Sequence, residues 1–123
     1  VKLYDCFVLA VDIDPASAAF ASQAATDNGA AQRVTALAGD GYATSLVGER
    51  APYDLIMANI LANPLIAMAG DLANVLKPGG IAILSGLLAS QADDVQGAHQ
   101  AAGLDLVERA DQRDWSTLTM TKP

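Results

Sequence analysis

Apolar positions fall in short continuous runs separated by polar or glycine punctuation, with Ala-rich stretches between them. Phe7-Val8-Leu9-Ala10-Val11 is apolar at every position and meets Asp12-Ile13-Asp14-Pro15. A run apolar on both faces predicts a buried parallel strand over residues 7–12. Asp14 is suited to an N-cap and Pro15 to a first helical position, so a helix is predicted over 16–27, stopped by Asn28-Gly29. Short runs at 34–38, 53–58 and 81–85 predict three more parallel strands. Gly39-Asp40-Gly41 forms the turn after 34–38, and the stretch before Tyr53 reads as a loop. Helical periodicity covers 65–75 and ends at Lys77-Pro78-Gly79-Gly80. An amphipathic helix covers 91–102 and closes at Gly103. Residues 104–109 and 115–121 read as strands around the polar turn Asp111-Gln112-Arg113-Asp114, an antiparallel hairpin. Alternating strand and helix with a terminal hairpin predicts an α/β fold, an open and mostly parallel sheet with an antiparallel edge.

The 123 residues are 52% hydrophobic with 5% aromatic, enough for a core built mainly of Ala, Leu, Val and Ile. No apolar run reaches the ~20 residues that span a bilayer, so no membrane partner is expected. Val1 to Asp5 carry no basic region before an apolar stretch, and no signal peptide is read there. A single cysteine, Cys6, excludes an internal disulfide and suits a reducing, cytoplasmic setting. The net charge of −7 argues against direct nucleic-acid binding, which needs a basic stripe. No cluster of metal ligands is read.

Candidate chemistry gathers at two strand ends. An acid at the carboxyl end of a parallel strand lies where open α/β sheets bind ligands. Asp12 holds that position, and its carboxylate can accept both hydroxyl protons of a ribose; the plainer reading is a solvated strand end. Met57-Ala58-Asn59-Ile60-Leu61-Ala62-Asn63-Pro64-Leu65 runs a buried strand into an asparagine with apolar neighbours. An amide oxygen accepts hydrogen bonds without bringing charge, so Asn59 can orient an amine while favouring its neutral form. The alternative is a loop cap, since Asn is common at turns. Asp14 reads as a helix cap, His99 as a surface helix residue, and Trp115 as a packing residue at the start of an edge strand.

These residues resemble the class I S-adenosylmethionine (AdoMet) methyltransferases, and within that class the PrmA-like ribosomal protein L eleven methyltransferases. The resemblance covers nearly the whole chain. It is carried by Val11-Asp12-Ile13-Asp14-Pro15, by Ala58 to Leu65, by Leu76-Lys77-Pro78-Gly79-Gly80, by Leu84-Ser85-Gly86-Leu87-Leu88 with Gln91, and by Asp114-Trp115. It implies a Rossmann-like sheet, AdoMet as cofactor, and methylation of amino groups, lysine side chains or an N-terminal amine, on a large-subunit ribosomal protein. Asp12 would bind the ribose hydroxyls and Ile13 would pack on the adenine. Asp40 would accept from the adenine amino group, where its plainer reading is a turn residue. Asn59 and a neighbouring carbonyl would hold the acceptor amine. The family's glycine-rich turn, which receives the methionine moiety, has no counterpart here. Residues 1–123 therefore read as a partial catalytic domain whose first, central strand is missing, and the exposed edges would favour a strand-pairing dimer. Three rival readings stand: a nicotinamide-dependent oxidoreductase, a non-catalytic interaction domain, and an AdoMet N-methyltransferase acting on a small molecule or nucleic acid.

Overall fold

The computed structural model describes residues 6–123; the signal-peptide reading of residues 1–5 lies outside them. The described residues form two compact units, 6–49 and 50–123.

In the first unit, strand β1 (Val8–Asp12) leads through helix α1 (Pro15–Asp27) to strand β2 (Val34–Ala38). The helix begins where the sequence predicts, because the Asp14 side chain accepts from the Ala16 N–H at 3.0 Å and from the Ser17 hydroxyl at 3.1 Å. Pro15, whose missing N–H has no helical partner to lose, follows as the first helical residue. β1 and β2 pair in parallel, with Val8 beside Val34 and Asp12 beside Ala38. The stretch after β2, expected to be loop, holds a short 3₁₀ turn (Gly41–Ala43) and helix α2 (Ser45–Arg50).

The second unit is a four-stranded sheet with the order β3-β4-β6-β5. β3 (Tyr53–Asn59) and β4 (Leu76–Leu88) are parallel, and β6 (Trp115–Thr121) is antiparallel to both β4 and β5 (Asp105–Gln112). The four predicted parallel strands therefore form two parallel pairs, and the hairpin is present. β4 is longer than predicted, because pairing with β3 and β6 extends at both ends of its apolar centre. The predicted helix over 65–75 is two helices, α3 (Ala62–Ala67) and α4 (Ala69–Val75), separated at Met68. Helix α5 (Ala92–Ala101) matches its sequence signal.

The core of this unit lies on one sheet face. Ala82, Leu84 and Leu87 of β4 and Leu118 and Met120 of β6 are fully buried with Leu65, Leu72 and Val95 of the helices. The opposite face is more open. β3, read as buried, exposes Leu55 and Met57, because no helix of this unit takes the place on that side that α3 to α5 take on the other.

His99, read as a surface residue, is 1% exposed. Ala92, Val95 and His99 share the inward stripe of α5, at i, i+3 and i+7. The Val95 carbonyl can only accept, so His99 Nδ1 carries the proton and donates to it at 2.8 Å. Nε2 has no partner among the described residues. Burial pushes the His99 pKa down, outweighing the hydrogen bond to Val95 that raises it.

Candidate functional site

Two strand crests carry the candidate residues, one in each unit. In the first, the parallel pairing of Asp12 with Ala38 puts the ends of β1 and β2 side by side, and Gly39 N–H donates to the Asp12 carbonyl at 2.9 Å. The Asp12 side chain uses one oxygen, Oδ1, to accept the Asp14 N–H at 2.9 Å. Its second oxygen has no protein donor among the described residues. Ile13, the next residue, is 76% exposed, an apolar side chain held out at the crest. Asp40 follows on the neighbouring strand end, exposed, and its side chain makes no capping bond to the 3₁₀ turn behind it. Gly39, just past β2, leaves room for a neighbouring side chain: a Cβ there would run into that of Thr44.

In the second unit, Asn59 ends β3 beside Ser85 of β4. The chain then turns into α3, with Ile60, Leu61 and Pro64 exposed around it. Among the described residues nothing hydrogen-bonds the Asn59 side chain, so the loop-cap reading has no supporting bond. Gly86 explains how the amide sits against bare backbone. Its φ is +83°, and a Cβ there would lie 2.6 Å from Asn59 Oδ1 and 2.8 Å from the Ile60 carbonyl. The register of β4 against β6 also shifts between Leu84 and Leu87, so Gly86 is the residue that lets the strand bulge under Asn59.

The same crest continues across β4 and β6. Leu88 N–H donates to Gln91 Oε1 at 3.0 Å, and Ala89 N–H donates to the Asp114 carbonyl at 2.7 Å. Arg109 ties this segment down, donating to Asp93 at 2.9 Å, to Asp111 at 3.0 Å and to the Ala89 carbonyl at 3.3 Å. The Ser116 hydroxyl donates to Asp111 as well. The Arg109 hydrogen bond, followed by that of Ser116, holds the Asp111 carboxyl below its usual range. Sequence reasoning missed this clamp, because its bonds join residues up to 20 positions apart and bring the hairpin to the segment after β4.

Trp115 departs from its reading. β6 lies inside the sheet between β4 and β5, and Trp115 is 55% exposed. The alternation of β6 sends Ser116, Leu118 and Met120 inward, leaving Trp115 with Thr117 and Thr119 on the outer face. The structure thus places Asp12, Ile13 and Asp40 at one crest and Asn59 at another.

Two parallel strand pairs, each connected through helix and each ending in a polar residue, are Rossmann-like architecture. The structure of a ribosomal protein L11 methylase from Lactobacillus delbrueckii subsp. bulgaricus matches with a TM-score of 0.80 at 29% identity, over 98% of this chain and 60% of that one. The model of the family described as "Ribosomal protein L11 methyltransferase (PrmA)" matches residues 1–123, and the chain belongs to that family. Ribosomal protein L11 methyltransferases from Rhizobium johnstonii and Brucella abortus are 41% and 40% identical over 122 and 114 residues, which are 99% and 93% of this chain. The chain spans about 40% of the length of these curated relatives. Among the described residues no helix is long and apolar enough to cross a membrane.

Proposed function

We propose that this segment supplies the adenosine-binding and amine-binding parts of an AdoMet-dependent N-methyltransferase. Its acceptors are amino groups, a lysine side chain or an N-terminal amine, of a large-subunit ribosomal protein in the cytoplasm. Family membership supports the reaction class, and one observation carries the acceptor: the unpartnered Asn59 amide at a strand end, pressed against Gly86 and rimmed by apolar side chains.

The first crest suits the cofactor. Asp12 keeps one carboxylate oxygen free of protein donors, as a ribose diol requires. Ile13 offers exposed apolar surface to a purine, and the exposed Asp40 offers an acceptor to an exocyclic amine. When bound, AdoMet supplies an electrophilic methyl group on a sulfonium.

The chain's own residues prepare the amine. Lysine has a reference pKa of about 10.4, so its ammonium must first lose a proton. The apolar rim of Ile60, Leu61 and Pro64 disfavours the charged form. Asn59 Oδ1 accepts an N–H of the neutral amine and so aims its lone pair. Bound AdoMet would supply the methyl group to that lone pair and leave as the neutral thioether, and the methylated nitrogen would release its extra proton to water. Positioning of this kind can contribute about 7–11 kcal/mol.

The test is Asn59→Ala in an enzyme carrying this segment. Turnover of a lysine substrate should fall about 10²-fold or more while AdoMet affinity stays within a few-fold. An unchanged rate, or loss of AdoMet binding, overturns the assignment.

A further inference from the structure

We propose that Trp115, flanked by Leu88 and Gln112, binds the peptide chain beside the acceptor amine. Trp115 would then be a specificity-determining residue of the amine site at Asn59; the inference rests on the proposed function.

Strand pairing puts these residues on one sheet face. Asn59 lies beside Ser85, Leu88 beside Trp115, and Trp115 beside Gln112. The inward positions Leu84 and Leu87 pair with Leu118 and Ser116, so Ser85 and Leu88 share the outer face despite the bulge between them. The row Leu88, Trp115, Gln112 therefore continues the crest that Asn59 begins. Leu88 is 38% exposed and Trp115 55%, so a substantial apolar surface faces outward beside the site. Behind it lies an open concavity of about 320 Å³ lined by Ala110, Gln112, Arg113, Trp115 and Thr117.

The lining fits a peptide. The Gln112 amide carries both a donor and an acceptor and so complements a peptide group, and the Arg113 guanidinium complements carbonyl oxygens. An indole face accepts aliphatic side chains and backbone with little entropy to lose. Arg113 stands at the hairpin turn with φ +57°, and the Ala89–Asp114 hydrogen bond fastens that turn to the crest. The separation sets the length of the occupant. Two strand spacings and three residues along β4 put Trp115 about 14 Å from Asn59, a distance that an extended peptide covers in about four residues.

The experiment compares two acceptors, the tripeptide Ala-Lys-Ala and a nonapeptide with a central lysine and four alanines on each side, in an enzyme carrying this segment. The nonapeptide should show a KM about tenfold lower, with kcat within twofold. Trp115→Ala should erase that advantage, Trp115→Phe should keep most of it, and AdoMet affinity should not move in either variant. Trp115 is the only tryptophan of this chain, so the chain alone gives a second readout. The nonapeptide should shift its emission saturably, and the tripeptide should not. Equal KM values for the two peptides, a length advantage that survives Trp115→Ala, or emission indifferent to the nonapeptide overturns the inference. Undiminished turnover in Asn59→Ala would instead overturn the proposed function, while the length comparison would still report on Trp115.

Discussion

Gly86→Ala is the sharpest perturbation of the amine site, because the structure supplies its own control. Gly79 and Gly86 both lie on β4 and share a φ of +83°, but their surroundings differ. A Cβ at Gly79 meets nothing within 4 Å, whereas one at Gly86 meets Asn59 Oδ1 at 2.6 Å, the Ile60 carbonyl at 2.8 Å and the Ile60 nitrogen at 3.2 Å. The left-handed conformation costs an alanine about 1–2 kcal/mol, and reduced freedom of the unfolded chain returns about 0.4–1 kcal/mol. Gly79→Ala should therefore destabilise by about 1 kcal/mol. Gly86→Ala carries the same cost and adds about 1–3 kcal/mol of overpacking against backbone that cannot swing aside. Urea unfolding followed by Trp115 emission reads the second unit directly. With a slope of about 2 kcal/mol per molar, the midpoint for Gly86→Ala should lie about 1 M below that for Gly79→Ala. Equal midpoints would refute the claim that bare backbone at Gly86 is what seats Asn59.

Two further outcomes follow from the crest acids and the buried imidazole. Asp12→Ala should weaken AdoMet binding in an enzyme carrying this segment by about 1.5–3 kcal/mol. Asp14→Ala should leave affinity nearly unchanged and cost about 1 kcal/mol of stability through the lost helix cap; calorimetric titration with thermal unfolding separates the two, and a larger affinity loss at Asp14 reverses the assignment. His99 has a pKa below its ordinary 6.5 when folded, so on acidification the unfolded chain takes up its proton first. Its contribution is fully present above pH 6.5 and is lost as pH falls from there toward the folded pKa. The urea midpoint should drop over that range in the native chain and drop less in His99→Leu; identical pH profiles would show that His99 is not the responsible group.

Local chemistry was enough to determine the strand–helix alternation, the Asp14 cap with Pro15 behind it, and the terminal hairpin. Each depends on neighbours in the chain: periodicity, a capping side chain, a short polar turn. The crest positions of Asp12 and Asn59 were legible for the same reason, since a polar residue at the end of an apolar run marks a strand end. Tertiary structure decided what depends on distant partners. Met68 divides one periodic stretch into α3 and α4. β6 takes a place between β4 and β5, so that the start of a presumed edge strand lies inside the sheet and its indole faces out. The i+4 spacing of Val95 and His99 hinted at a shared face, but burial of the imidazole depends on the stripe of α5 lying in the core. Gly86 carries no local sign of its role either. Its need for a bare backbone comes from Asn59, 27 residues earlier, which only the pairing of β3 with β4 brings against it.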